Sequence, residues 1–150
     1  MISGNIVRAL KDVGVNLFTT LPCEKVRLLN DLISTTFRHI PLSREEEGVG
    51  ISAGAYLAGA KPAMLVQSSG IGNMMNALCS LTKAYELPLL ILVSWRGVYK
   101  EEIPTQVPLG KRLQKILEAL DVEFSLIETP KDIRLIPNVA AKAYMNSTIH

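Results

Sequence analysis

The chain has 150 residues, 48% of them hydrophobic but only 5% aromatic, which fits one domain over residues 1–150 with a core of aliphatic side chains. A net charge of +2, with no basic block and no basic–aromatic interleaving, speaks against a nucleic-acid partner. The two cysteines, Cys23 and Cys79, stand far apart and outside any C-x-x-C spacing, which argues against a disulfide framework or a structural zinc site.

Taken in chain order, Ile6, Val7, Ala9, Leu10 and Val13 recur at helical spacing, and Gly14 supplies a stop. Residues 15–20 read as a strand closed by Leu21-Pro22, and residues 23–36 as a helix with Val26, Leu29, Leu32 and Ile33 inward. A short extended piece, 39–42, leads into a third helix over 43–59. Residues 63–67 read as a strand, 68–73 as a small-residue turn and 73–85 as a helix. The unbroken apolar run 89–94 is the pattern of a strand covered on both faces. A long Pro-containing loop, 95–110, precedes a helix (111–120), a strand (122–127) and a last helix (130–145).

Alternating strands and helices predict a doubly wound parallel sheet with helices on both faces. Ligands of such sheets sit beyond the carboxyl ends of the strands, which singles out residues 21–24, 41–47, 68–73 and 95–110. The longest apolar run, Leu87 to Val93, is too short to span a bilayer, and no membrane contact is expected. Residues 1–5 lack a basic stretch followed by an apolar one, so a signal peptide is not read and the expected compartment is the cytoplasm.

Ser43-Arg44-Glu45-Glu46 fits the S-x-x-E box that caps a helix, a local role worth about 1 kcal/mol. The helix that follows is studded with Gly48, Gly50 and Gly54, each of which weakens an isolated helix by roughly 1 kcal/mol relative to Ala. A helix tolerates that where a backbone or ligand approaches closely. Gly70-Ile71-Gly72 after a strand resembles the opening of a dinucleotide fingerprint, but Met75 stands where the third glycine belongs. Asn73 also suits a helix cap, Pro22 a helix start, and Cys23 a small buried filler. Arg96 and Lys100 follow the apolar strand, where a guanidinium fork or an ammonium suits an oxyanion.

Glu46, Gly48, Tyr56 and Lys61-Pro62 stand at the spacing found in the pyrimidine-binding domain of thiamine-diphosphate enzymes, and this stretch resembles that family. Residues 64–78 and 87–97 resemble its phosphonopyruvate and sulfopyruvate decarboxylase branch, and Trp95-Arg96-Gly97 and Tyr99-Lys100 lean to the sulfopyruvate side. The resemblance implies that Glu46 is catalytic, hydrogen-bonding N1′ of the cofactor's aminopyrimidine. It places Pro22, Cys23, Gly70, Gly72 and Asn73 beside thiamine diphosphate, and lets Gln67, Ser68, Arg96 and Lys100 face a 2-oxoacid substrate. It also implies a Mg²⁺ ion, yet the chain has no Gly-Asp-Gly, so no metal ligand is expected here. A β subunit would supply the diphosphate- and Mg²⁺-binding domain, giving an α/β hetero-oligomer with a shared site. The implied activity is decarboxylation of 3-sulfopyruvate to sulfoacetaldehyde on the route to coenzyme M. The corresponding half of a phosphonopyruvate or other 2-oxoacid decarboxylase, and a non-catalytic binding domain of the same fold, stay open at this point.

Overall fold

The computed structural model describes residues 2–150. Four strands, β1 (Leu17–Thr20), β2 (Arg38–Pro41), β3 (Pro62–Gln67) and β4 (Leu90–Ser94), form one parallel sheet in the order β2-β1-β3-β4. The helices are α1 (Ile2–Asp12), α2 (Arg27–Thr36), α3 (Glu45–Leu57), α4 (Ser68–Ala77), the one-turn α5 (Val107–Gly110), α6 (Leu113–Ala119) and α7 (Leu135–Asn146). The chain leaves β1 toward β2, then crosses back to place β3 on the other side of β1. The strand order therefore reverses between β1 and β3, which is where a doubly wound sheet opens its crevice.

Period-2 alternation along β3 sorts the core into two layers. Ala63 and Leu65 join Val7 and Leu10 of α1, Leu29 and Ile33 of α2, and Ile136 and Ala140 of α7. Met64 and Val66 face the opposite side, with Val49 of α3, Ile71 and Met74 of α4, and Leu113 and Leu117 of α6. Helices cover both faces, as the alternating pattern predicts.

Three sequence-based expectations need correction. Residues 68–73 are not a turn: α4 starts at Ser68, directly after β3 ends at Gln67. This helix continues through a π-helical segment, Leu78–Lys83, in which the buried Thr82 hydroxyl donates to the Leu78 carbonyl at 2.7 Å. Residues 122–127 are extended but form no ladder. Val122 is buried in the α6-side core, while the edge of β4 is met by the C-terminal residues instead. There Leu89 N donates to Thr148 O (3.2 Å), His150 N to Leu89 O (3.0 Å) and Ile91 N to His150 O (2.8 Å). The C-terminal segment buries Ile149 beside Leu89 as it pairs there. The capping box of α3 is shifted by one residue, with consequences for the site.

Candidate functional site

The carboxyl ends of β1, β3 and β4 and the first turn of α3 meet at the crevice. Three consecutive acids open α3, and each side chain goes a different way. Glu47, not Glu46, caps the helix: its Oε2 accepts the backbone N–H groups of Ser43 and Arg44, both at 3.2 Å. Glu45 turns inward, 4% exposed, and accepts the Asn73 side-chain N–H at 3.0 Å on Oε2. Glu46 is left for something else. Its Oε1 accepts Arg44 Nε at 2.8 Å, and Arg44 also reaches it at 2.6 Å through a side chain that is 71% exposed. Its Oε2 is shut off from solvent and, among the described residues, has no hydrogen-bond partner. A carboxylate oxygen withheld from water and left without a donor is costly, which is why such groups mark ligand positions. The Glu46 carboxyl lies below the ordinary range, first through the nearby dipole of its own backbone N–H; desolvation opposes this, and Arg44 adds to the lowering.

Glycines set the height of this turn. A Cβ on Gly48 would stand 2.5 Å from Leu42 Cδ1 and 2.6 Å from Met64 Cε, so α3 sits directly on the sheet. A Cβ on Gly70 would stand 2.8 Å from both Cγ and Oε1 of Glu45. Gly70 thus admits a carboxyl of its own chain rather than a phosphate, and Asn73, expected beside the cofactor, spends its amide on that same carboxyl. Gly72 makes room for Leu109, its Cβ position lying 2.9 Å from Cδ1.

The loop after β4 forms the other wall, and it is closed upon itself. Arg96, expected to hold an oxyanion, is 7% exposed and pairs in fork geometry with Glu101: Nε to Oε2 at 2.6 Å and a terminal nitrogen to Oε1 at 2.7 Å. Glu101 also accepts Gly97 N and Ile103 N, each at 3.1 Å. The Arg96 hydrogen bonds come first in holding its carboxyl down at about 2. The same pairing pushes the guanidinium further above its ordinary range. Gly97 has φ +86°, and a Cβ there would fall 2.1 Å from Gln106 O; on Gly110 it would fall 2.0 Å from Arg96 O. Trp95 Nε1 donates to Gly110 O at 2.9 Å and completes the closure.

The remaining candidates divide between these walls. Cys23 is buried, its thiol 3.5 Å from Ser94 Oγ and its sulfur 4.0 Å from an Arg96 nitrogen, so the ends of β1 and β4 do meet. Pro22 beside it is exposed. Ser68, expected to face substrate, is fully buried and staples α4 to β4 by accepting Arg96 N at 3.1 Å and donating to Arg96 O at 3.3 Å. Gln67 donates to Ser69 Oγ at 2.7 Å. Lys100 is exposed at the loop tip, with Nζ 5.2 Å from the centre of the Tyr99 ring. At the far side, Thr20 Oγ1 and His39 Nε2 are 2.8 Å apart, and burial lowers the His39 pKa.

Sequence reasoning missed Glu45 and Glu101. Three acids in a row carry no mark of which one turns inward, whereas an acid five residues after Arg96 was a usable signal of a loop-closing pair. The unsatisfied Glu46 Oε2 fits a cofactor group with which it can share a proton, as the ring nitrogen of an aminopyrimidine allows. Among the described residues no cluster of three or more His, Cys, Asp or Glu side chains could hold a metal ion. A groove of about 480 Å³ runs along β4 past Leu92, Val93 and Phe124, and a second of about 730 Å³ lies beside Val122, Phe124 and Val139; neither is lined by Glu46, Asn73, Cys23 or Arg96.

Residues 2–123 match the family described as thiamine pyrophosphate enzyme, N-terminal TPP binding domain. The chain is 38% identical over 143 residues to sulfopyruvate decarboxylase subunit alpha of Methanococcus maripaludis, an alignment covering 94% of this chain and 86% of that one. It is 49% identical over 145 residues to sulfopyruvate decarboxylase of Methanosarcina acetivorans, covering 97% of this chain but spanning only 38% of the relative's length. A solved structure of 2-oxoglutarate:ferredoxin oxidoreductase from Magnetococcus marinus superposes with a TM-score of 0.75 over 99% of this chain and 27% of its own, at 16% identity, a likeness of fold alone. No helix among the described residues is long and apolar enough to cross a membrane.

Proposed function

This chain belongs to the thiamine pyrophosphate enzyme family as an N-terminal TPP-binding domain, and from that premise we propose that it is the α-type half of a sulfopyruvate decarboxylase. The reaction is loss of CO2 from 3-sulfopyruvate to give sulfoacetaldehyde, in an active site shared with a β subunit that carries the diphosphate and Mg²⁺ ligands. The observation that carries this reading is the Glu46 Oε2, shut off from water and, among the described residues, without a hydrogen-bond partner.

Bound thiamine diphosphate would supply the electron sink that decarboxylation requires. The protein's part is to hold and move one proton. Glu46 offers Oε2 to the pyrimidine N1′ and shares a proton there, a general acid–base role. Glu47 takes the capping task, so Glu46 is free for this one. Arg44 holds Oε1 from the solvent side on a long exposed stem. Arg96 and Glu101 neutralise each other and fix the loop beside Cys23. The substrate's anionic tail therefore falls to Lys100, exposed at the tip. Gly50 and Gly54, with nothing within 4 Å of their Cβ positions, leave the outer face of α3 free for close approach by the β subunit.

The test is reconstitution. The chain alone and mixed with a chain bearing the magnesium- and diphosphate-binding domain is assayed for CO2 release from sulfopyruvate with thiamine diphosphate and Mg²⁺. Activity of the mixture alone is expected. Full activity of the isolated chain would contradict the shared site, and preference for phosphonopyruvate would reassign the substrate.

A further inference from the structure

The three acids of α3 divide three tasks, and the inward one has a task that packing alone does not explain. Glu45 is a carboxylate 4% exposed, a position where an apolar side chain would avoid the cost of desolvating a charge. It is received by two features of α4: the Asn73 amide at 3.0 Å and the missing side chain of Gly70, whose Cβ would lie 2.8 Å from Oε1. One turn along the same face, Gly48 lets α3 rest on Leu42 and Met64. The peptide of Glu46 lies between these fixed points. Shifting α3 away from α4 would carry Glu46 with it, and misplacement of a reacting group by about 1 Å can cost on the order of 10²-fold in rate.

We infer that Glu45 and Asn73 are positioning residues for Glu46: their hydrogen bond, seated over Gly70, sets the spacing of α3 and α4 and so the direction in which Glu46 presents Oε2. The inference rests on the proposed role of Glu46 and adds to it a device that acts through the contact of α3 with α4. Glu45 and Asn73 need touch neither cofactor nor substrate.

The bond can be broken and remade. Asn73→Asp sets two carboxylates against each other, whereas Asn73→Asp combined with Glu45→Gln restores a donor facing a carboxylate with the charges exchanged. Asn73→Ala removes the amide without adding charge and carries the test should Asn73→Asp fail to fold. Each variant is reconstituted with the magnesium-binding partner chain. The readouts are kcat and KM at saturating cofactor, below every variant's melting temperature, and the affinity for thiamine diphosphate by calorimetry. Asn73→Ala is expected to lower kcat about 10-fold with KM for substrate nearly unchanged, and to weaken cofactor binding; the double variant should return to within about threefold of wild type. Folded Asn73 variants with wild-type kcat and cofactor affinity, beside an inactive Glu46→Gln, would overturn this inference and leave the parent reading standing. An active Glu46→Gln would instead remove the parent reading.

Discussion

Two carboxylates at opposite walls of the crevice show how a charge that builds structure differs from one held open for a ligand. Glu101 accepts four hydrogen bonds, from two nitrogens of Arg96 and from the backbones of Gly97 and Ile103. Glu46 has one oxygen held by an exposed arginine and the other shut away from solvent and, among the described residues, without a donor. Both belong to helix or loop starts beyond the carboxyl ends of strands, and both neighbour residues that the sequence offers as ligand contacts. The satisfied one closes a loop. The unsatisfied one is available to something outside the chain.

The comparison can be broken first on its structural side. Gly97→Ala should be the most damaging change in the β4 loop, because its Cβ would lie 2.1 Å from Gln106 O at φ +86°. We expect a loss of about 3 kcal/mol or more, measured by urea unfolding of the isolated chain. A near-neutral result would mean that the loop is not closed as described.

Next, Glu101→Gln should lower stability with a definite pH dependence. The folded carboxyl sits at about 2 against an ordinary 4.5, so its stabilisation is fully present above 4.5 and disappears as pH falls through 2. The difference between wild type and variant in urea midpoint should therefore shrink across that window. A constant difference would assign the effect to shape rather than charge.

Along α3, Gly48→Ala should destabilise by about 1–3 kcal/mol by forcing Leu42 and Met64 aside. Gly50→Ala, in open space, should stabilise the isolated chain by roughly 0.5–1 kcal/mol. If the β subunit packs on this face, Gly50→Ala should also weaken assembly, which a titration of one chain against the other would show. The smallest effect is expected of Lys100→Ala, within about 0.5 kcal/mol in stability because the side chain is exposed. A rise in KM with unchanged stability would place Lys100 on the substrate.

The sheet and its helices are legible in the sequence because β4 is apolar throughout and the helices carry regular inward positions. The 122–127 strand is not, since nothing local says that Ile149 takes the edge of β4. At the site, the sequence points to the right turn of α3 but not to the division of labour within it. The S-x-x-E spacing suits Ser43 with Glu46, yet the helix begins at Glu45, so Glu47 reaches back to cap. A one-residue shift of the helix start exchanges the roles of adjacent acids. Likewise Arg96 looks like a free fork until the loop brings Glu101 to it.

The role proposed for Glu46 is to share a proton with a cofactor, with capping left to Glu47. Glu46→Gln keeps the shape and leaves the Glu47 cap intact, so the melting temperature of the isolated chain should be nearly unchanged. The reconstituted complex should lose kcat by on the order of 10²-fold or more. A Glu46→Gln complex with wild-type kcat would contradict the account.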